Sequence, residues 1–363
     1  MKILVVGAGV AGLSATISLA RRGHEVTTID RGEGAVGASI IVGHGAVYAL
    51  QELGVLDDVL QVAKKIEAGE PSWWTYVYNA RGEKMSIPAP NLPTSGLPSM
   101  VFLYRPYLSD ILVDKAREHG AEIRFGTAWN GEIDGYDLVI GADGLHSSVR
   151  QRFFPDAGEP VYTGAMSFRT MLEGAPGHWL SGLHFAQGGM GSVTTLLPDG
   201  LFYLAVGHGM ERRRVEPDEA RGLVRQVLQR YVDQSSTMFA EVAERIDDTA
   251  EPIVAPYEWI WVDQPWHRGN VVLVGDAIHA TTPNIGAAGG MAIEDGVVLA
   301  QELERAGDLE SGLRAYEERR LERTKLVVDA SVEVMLRQQR VPREPQIEAQ
   351  IRANAIEKLA EPY

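Results

Sequence analysis

The chain has 363 residues, with 34 Lys and Arg against 49 Asp and Glu, a formal net charge of −15. Its length predicts about two domains, since a domain typically spans roughly 150 residues. An acidic chain is repelled by nucleic-acid phosphates and anionic membrane surfaces, so partners of both kinds are disfavoured. The absence of cysteine excludes disulfides, thiolate nucleophiles and cysteine-ligated metals, so any redox chemistry must depend on an organic cofactor.

The first predicted elements form a βαβ unit, with a strand over 3–6, a helix over 10–22 and a strand over 25–30. A basic start followed by an apolar run also fits a signal peptide, but three glycines in that run favour a strand, turn and helix. No apolar stretch reaches the roughly 18 residues of a membrane span, so we expect a cytoplasmic protein without membrane insertion.

The middle of the chain changes character. After helical leucine spacing over 46–65, residues 71–106 predict an excursion from the first domain, beginning with a β-like alternation from Trp73 to Tyr78. The elements predicted next are a helix over 107–118, strands over 121–125 and 137–141, a strand-rich region over 160–210, a helical segment over 216–245 and a β-like run over 252–262. The chain then returns to an apolar strand over 271–274, helices over 289–306 and 311–339, and a polar tail after Pro342 that is frayed or packed on the surface.

A glycine-rich motif joins the first strand to the first helix. Gly7 permits a tight turn, Gly9 lets the backbone approach a pyrophosphate, and Gly12 allows close helix–strand packing. Asp30, at the end of the second strand, is placed to accept hydrogen bonds from an adenosine ribose. This context predicts dinucleotide binding but does not separate NAD from FAD.

A second motif favours a flavin. Asp276 follows a strand and is suited to a ribityl hydroxyl, while the glycine-rich helix start at 286–290 can stabilise negative charge on a reduced flavin ring. His279 lies at the strand–helix junction, where we interpret it as structural.

Three separated motifs, GAGVAG at 7–12, GADGLHSSVR at 141–150 and GDAIHATTPNIGAAGGMAIED at 275–295, together with RPYL at 105–108, resemble those of the group A FAD-dependent aromatic hydroxylases. This family includes the para-hydroxybenzoate and salicylate hydroxylases, and its motif order is kept over residues 1–340. With the element order, the resemblance implies an α/β (α+β) fold in which a Rossmann-type FAD-binding domain carries an inserted, mostly antiparallel β-sheet substrate domain and a long C-terminal helix. The expected division is 1–70, 100–158 and 265–340 for FAD, 71–99 and 159–264 for the substrate, and 341–363 for the tail.

The resemblance also implies which residues hold FAD: Gly7, Gly9, Ala11, Gly12, Asp30, Arg31, Arg105, Asp143, Gly144, Asp276, Pro283, Gly286, Ala287, Ala288, Gly289 and Gly290. Asp143 and Gly144 would serve the pyrophosphate region and nicotinamide docking, although an Asp-Gly pair is also a common turn former. Arg105 would contact FAD, or form a surface ion pair instead. The chain departs from the family in Gly286-Ala287-Ala288, where relatives have Gly-Gln-Gly, and in the short connection between 125 and 137.

The activity implied by the resemblance is hydroxylation of an aromatic or polycyclic small molecule. NADH or NADPH, acting as a transient co-substrate, would reduce FAD, and O2 would then give a flavin C4a-hydroperoxide that passes one oxygen to the substrate. The enzyme would be a monomer or homodimer. Two alternatives stay open: a Baeyer–Villiger oxygenase or epoxidase on the same fold, and a flavin-binding protein without turnover.

We expect the substrate pocket between the flavin and the β-rich middle of the chain, lined by Ile41, Trp73, Arg169, Phe185, Thr195, Tyr203 and Trp259. Arg169 is the strongest polar candidate, because it interrupts an apolar strand and must find a partner. Arg169, Tyr203 and His208 are the candidate catalytic residues, able to orient a phenolate or carboxylate. No metal ligands are predicted.

Overall fold

The computed structural model describes residues 1–43, 45–67, 70, 73–92, 96–247, 250–340, 342–361 and 363. Its strands are β1 (Lys2–Val6), β2 (Glu25–Ile29), β3 (Ser39–Gly43), β4 (Lys64–Ile66), β5 (Val77–Asn79), β6 (Met100–Tyr104), β7 (Glu122–Arg124), β8 (Leu138–Gly141), β9 (Val161–Leu172), β10 (Gly182–Phe185), β11 (Ser192–Leu196), β12 (Phe202–Gly209), β13 (Ile253–Trp259), β14 (His267–Arg268) and β15 (Val271–Leu273). Its helices are α1 (Val10–Ala20), α2 (Gly45–Glu52), α3 (Leu56–Val62), α4 (Arg105–Glu118), α5 (Ser148–Phe153), α6 (Pro217–Val232), α7 (Thr237–Glu244), α8 (Asp276–His279), α9 (Ala288–Arg305), α10 (Leu309–Gln338) and α11 (Pro345–Leu359).

The first sheet has the strand order β14-β15-β8-β1-β2-β7 and is parallel except for β14. Strands β1 and β8 are buried runs of Ile, Leu and Val, as expected for a parallel sheet covered on both faces. The carboxyl ends of the strands lie along one edge, where open α/β sheets bind ligands. The loops that begin at Gly7, Asp30, Ala142 and Val274 therefore come together at this edge.

Glycines allow α1 to pack closely against its neighbours. A Cβ atom on Gly12 would lie 1.9 Å from the Gly7 carbonyl oxygen, and one on Gly296 of α9 would lie 2.4 Å from the Ala15 backbone nitrogen. A side chain at either position would push α1 away from the sheet or from α9. This is the close helix packing that the sequence predicts for Gly12.

The second sheet has the order β13-β9-β12-β11-β10-β5 and is antiparallel except for the pair β5 and β10. Helices α6 and α7 cover one face, where Phe168, Phe202 and Phe239 belong to one apolar core. The opposite face turns towards the carboxyl edge of the first sheet, since Tyr203 lines a cavity together with Pro283. The predicted fold class is confirmed.

A third sheet, with the order β3-β6-β4, is absent from the sequence prediction. Strand β3 lies in a glycine-rich stretch and β6 in the proline-rich excursion, so neither carries a strong strand signal. The helical spacing over 46–65 corresponds to two helices, α2 and α3, because Gly54, with φ 72°, interrupts the helix; the end of the range is instead the strand β4.

Two further local predictions need correction. The helical segment over 216–245 is divided into α6 and α7, with Ser235 between them at φ 71°. The β-like run from Trp73 to Tyr78 instead begins with a single 3-10 turn over Trp73–Thr75, and only β5 is a strand. The alternation of aromatic residues from Trp73 to Tyr78 is therefore not produced by a continuous strand.

The tail is also more ordered than predicted. Helix α11 buries Ala349, Ile356 and Leu359, with Pro345 at its first position. The Arg323 Nη2 atom of α10 donates a hydrogen bond of 2.7 Å to the Leu359 carbonyl oxygen. Apolar residues at helical spacing in an otherwise polar stretch fix this segment against the protein.

A buried histidine in the second sheet should make stability depend on pH. His184 is 1% exposed, its Nε2 atom lies 2.8 Å from the Thr194 hydroxyl, and its ring stacks on Tyr78. Burial lowers the pKa of His184 to about 3, so the unfolded chain binds the proton first as the pH falls below the ordinary histidine value. Folding stability should therefore decline by about 2 kcal/mol between pH 7.5 and pH 5 through this group.

The measurement is urea unfolding of the wild type and His184→Gln at both pH values. The decrease in unfolding free energy between pH 7.5 and pH 5 should be smaller by about 2 kcal/mol in His184→Gln than in the wild type. His178→Gln, at an exposed histidine, should show the wild-type decrease. An unchanged pH dependence in His184→Gln would contradict the assignment.

Candidate functional site

The glycine motif at the end of β1 forms a turn that opens onto empty space. Gly7 has φ 109°, and a Cβ atom there would lie 2.3 Å from the Ala142 carbonyl oxygen. Gly9 is the N-cap of α1, and a Cβ atom on it would meet nothing within 4 Å. No side chain caps this helix start, so its backbone N–H groups are free to bind an anion.

The carboxylate of Asp30 lies beside this turn. Its Oδ2 atom accepts a hydrogen bond of 2.7 Å from the Ala8 amide, and its Oδ1 atom accepts one of 2.7 Å from the Gly32 amide. Each carboxylate oxygen has a further lone pair, so the side chain can hold the loop and still accept a ribose hydroxyl. Arg31, the next residue, is exposed.

The loop after β8 is held by its own aspartate. Asp143 accepts hydrogen bonds from the Ser148 amide at 2.6 Å and the Ser148 hydroxyl at 2.7 Å, and also from the Ser147 hydroxyl. These contacts support the start of α5, which is the turn-forming role that the sequence left open as the alternative. Gly144, with φ 81°, completes the turn.

Arg150 joins the second motif to the third, a role that sequence reasoning missed. This side chain is 1% exposed and donates hydrogen bonds of 2.9 Å to the Ala277 carbonyl oxygen and 2.6 Å to the Leu145 carbonyl oxygen. The signal available in the sequence was only that an arginine ends the GADGLHSSVR motif; its burial, which requires it to find acceptors, is seen in the structure.

Asp276 begins α8 at the same edge of the first sheet and is exposed. Desolvation by the surrounding protein raises its pKa, with Asp295 adding to the effect, while His279 and Arg105 oppose it. Arg105, the first residue of α4, is exposed and close enough for its charge to favour the Asp276 carboxylate. The two predicted residues are thus brought to one place.

A buried ionic cluster lies close to Asp276. The His279 Nε2 atom is 2.7 Å from Asp295 Oδ2, which also accepts from the Gly275 amide at 2.8 Å. Arg320 donates to Asp295 at 2.8 Å and to Glu294 at 2.7 Å. Burial opposes ionisation of Asp295, but His279 and Arg320 together lower its pKa below the ordinary value. His279 is 2% exposed, a position that agrees with the structural role expected for it.

A cavity of about 200 Å³ lies between the 283–289 loop and the second sheet. The predicted residues that line it are Ile41, Phe185, Tyr203, Pro283, Gly286, Ala288 and Gly289. Ser39 and Asn284 also line it, and each has a buried side-chain oxygen without a hydrogen-bond partner among the described residues. Helix α9 begins beside it, at Ala288, without a side-chain cap. An apolar cavity with unpaired polar atoms is typical of a ligand site.

Arg169 was expected to line the pocket, but it is not among the residues that line the cavity; it is paired with Ala205 of β12, which does line it. Its Nε atom is buried and has no hydrogen-bond partner among the described residues. Its positive charge acts on the hydroxyls of both Tyr203 and Tyr257, although burial of these two phenols dominates and raises the pKa of each. Tyr257 was not predicted; its place in the alternating run of β13 was the signal available.

Other predicted pocket residues lie elsewhere. Thr195 is 1% exposed and pairs with Tyr203, but it does not line the cavity. Trp259 lies beyond the irregularity of β13, opposite Val161, and also falls outside the lining. His208 lines a separate, larger cleft. The side chain of Trp73 lies outside the described part of the structure.

The C-terminal helix contributes a cavity residue that sequence reasoning missed. Arg352 is 3% exposed, and its Nε atom donates a hydrogen bond of 2.9 Å to the Asn284 carbonyl oxygen. Burial lowers the pKa of Arg352 to about 10, although Glu348 opposes this. The signal available in the sequence was a positively charged residue, Arg352, among apolar residues that recur at helical spacing.

Two negative observations apply to the described residues. They contain no group of three or more His, Asp or Glu side chains suited to holding a metal ion. Their helices include none with both the length and the apolar content needed to cross a membrane.

Comparison with known proteins identifies the family. The sequence matches the family described as FAD binding domain over residues 1–137 and 135–331. It is 28% identical over 362 residues to the aurachin C monooxygenase/isomerase of Stigmatella aurantiaca, covering 92% of this chain and 88% of that protein. It is also 28% identical over 366 residues to the FAD-dependent urate hydroxylase of Klebsiella oxytoca, a match that covers 90% of this chain and 88% of that protein.

The fold is also that of a solved flavoprotein. The structure of Klebsiella pneumoniae HpxO complexed with FAD and uric acid superposes with a TM-score of 0.74, at 22% identity, over 100% of this chain and 93% of that chain. The glycine turn, the three loops at the sheet edge and the adjoining cavity together fit the FAD that this family binds. The chain belongs to the FAD-binding family of flavin-dependent monooxygenases and hydroxylases.

Proposed function

We propose that this protein uses NADH or NADPH and O2 to hydroxylate an aromatic or polycyclic small molecule. The observation that carries the proposal is the apolar cavity between the 283–289 loop and the second sheet, which adjoins the FAD motifs and contains Tyr203 and Tyr257. Flat aromatic ligands pack well against such a lining. The names of relatives that act on urate and 3-hydroxybenzoate support this substrate class.

The residues at the sheet edge fit FAD. The backbone at Gly9 and the start of α1 would receive its pyrophosphate, Asp30 its ribose, and Asp276 with Arg105 its ribityl region. The start of α9 would place the positive end of a helix beside the flavin ring. FAD, when bound, supplies the redox chemistry and activates oxygen, so the chain itself need provide no nucleophile.

The protein's own task in the reaction is to orient the substrate and exclude water. Tyr203 lines the cavity, and since burial raises its pKa it stays a neutral hydrogen-bond donor at ordinary pH. The Arg169 guanidinium beside it favours negative charge on a bound phenol or carboxylate. We assign Tyr203 and Arg169 to substrate orientation.

Tyr203→Phe should lower the rate of product formation by about 10- to 100-fold, since one hydrogen bond to a charged group is worth roughly 1.5 to 3 kcal/mol. Reduction of the flavin by NADH or NADPH should persist, because the change does not touch the cofactor motifs. Stopped-flow absorbance separates the two steps, and Tyr48→Phe, at an exposed tyrosine, serves as control. Equal product formation by Tyr203→Phe and wild type would remove Tyr203 from this role.

The proposed function is tested by screening the purified yellow holoprotein against phenols, indoles and quinolones for substrate-stimulated oxidation of NADH and NADPH. A compound that stimulates oxidation and gains one oxygen atom supports the proposal. The position of that atom separates a hydroxylase from a Baeyer–Villiger oxygenase or epoxidase. A holoprotein that oxidises neither nicotinamide with any compound would favour a flavin carrier without turnover.

A further inference from the structure

A second cleft, of about 1130 Å³, adjoins the cavity and shares Phe185, Met190 and Gln338 with it. Four arginines line this cleft, namely Arg81, Arg230, Arg340 and Arg343, and the described lining contains no Asp or Glu. This composition is unexpected in a chain that carries 49 acidic residues and a net charge of −15. The cleft is therefore a local positive region on an acidic protein.

The positive charges of the cleft are only partly balanced. Among the described residues, neither Arg230 nor Arg340 forms an ion pair with a carboxylate; Arg230 instead has an Nη2 atom 3.5 Å from His208 Nδ1. That proximity and burial lower the pKa of His208, with burial the larger cause. Arg81 is paired with Glu83 at the surface, at 3.0 Å.

The remaining arginine connects the cleft to the cavity. Arg343 donates to Glu348 at 2.6 Å, and the same carboxylate oxygen lies 3.7 Å from Arg352, which lines the cavity. The single buried carboxylate of Glu348 is thus shared by Arg343 and Arg352, so these three side chains together carry one net positive charge. The Arg343 guanidinium also lies over the Phe185 ring, 4.5 Å from its centroid, at the junction of the two spaces.

From this arrangement we propose that the cleft is an anion-binding entrance to the reaction cavity. The substrate would carry an acidic group on a tether, with its ring in the cavity and its carboxylate or phosphate among Arg230, Arg340 and Arg343. The proposal rests on the proposed function, in that the cavity is taken as the substrate site. An acidic group bound here would be recognised by charge and by arginine hydrogen bonds.

The experiment uses holoenzyme and two acids of different tether length, indole-3-acetate and indole-3-butyrate, each compared with its own uncharged primary amide. Binding is followed by the change in flavin absorbance and by calorimetry, so no turnover is needed. The acids should bind about tenfold more tightly than the amides. The preference should be larger for the longer tether, and it should shrink as salt is added.

The double variant Arg230→Gln with Arg340→Gln should lose the preference for acids and leave amide binding unchanged. The lysine double variant, R230K with R340K, should keep the preference for acids. That result would show that the loss in the glutamine variant comes from the lost charge and not from misfolding. Arg305→Gln with Arg314→Gln makes the same charge change at two exposed arginines outside the cleft and should behave as wild type.

Equal affinity for acids and amides in the wild type, including no measurable binding of either at millimolar concentration, would overturn the proposal. So would a double variant that keeps the acid preference. If that variant instead raises the KM for NADH or NADPH alone, the cleft serves the reductant and the proposal is wrong. If the wild type binds acids more tightly than amides but never oxidises NADH or NADPH, the anion-binding entrance is supported and the proposed monooxygenase activity is wrong.

Discussion

Gly9→Leu should produce a folded protein that no longer retains FAD. Gly9 has φ −75° and ψ −179°, an extended conformation open to any residue. A side chain there would meet no protein atom within 4 Å, but it would fill the space at the start of α1 where the pyrophosphate binds. We expect FAD affinity to fall by about a thousandfold, roughly 4 kcal/mol.

The measurement is flavin content after purification, followed by titration of the apoprotein with FAD. Gly222→Leu is the matched control, since a Cβ atom on Gly222 also meets nothing within 4 Å and that residue lies on α6, outside the FAD motifs. Both variants should give the circular dichroism spectrum of the wild-type apoprotein. Wild-type flavin content in Gly9→Leu would place the pyrophosphate elsewhere.

Arg320→Met should strongly destabilise the fold. Arg320 is 0% exposed and is paired with two fully buried carboxylates, Glu294 and Asp295. Removing it leaves negative charge buried with less compensation, which typically costs about 3 to 5 kcal/mol. Since Asp295 also holds the Gly275 amide beside Asp276, FAD affinity should decrease as well.

Urea unfolding of the apoprotein measures the first effect. Arg319→Met, at the partly exposed neighbouring arginine paired with Glu302, should cost clearly less stability than Arg320→Met, because Glu302 keeps access to water and its ion pair with Arg305. Adding Glu294→Gln and Asp295→Asn to Arg320→Met should restore part of the loss, because the uncompensated charges are then gone. If Arg320→Met is as stable as Arg319→Met, the cluster is not a stabilising unit.

The parts of the fold that were predictable are those with a strong local signal. The βαβ unit has an apolar strand, glycines at fixed offsets and a terminal acid, and the structure reproduces it in β1, α1 and β2. Strands β3 and β6 were missed because glycine and proline dominate their surroundings, and their pairing with each other is a tertiary contact. The division of the chain into domains stays a prediction.

The site shows the same contrast. Motif residues at strand ends were found because topology brings those ends to one edge, whereas pocket residues depend on which strand face turns inward. Tyr203 and Phe185 turn towards the cavity, while Trp259 lies past a register shift that no local pattern reveals. Arg352 comes from a segment that was expected to be a tail, so its place in the cavity required the tertiary structure.

Turnover under isotopically heavy oxygen gas tests the proposed monooxygenase activity most directly. Holoprotein is incubated with NADH or NADPH and a compound that stimulates oxidation, and the product is analysed by mass spectrometry. We expect one heavy oxygen atom per product molecule, with the second atom of O2 released as water. A product oxygen that comes from water, or oxygen consumption that yields only hydrogen peroxide with every stimulating compound, would contradict the assignment as a monooxygenase.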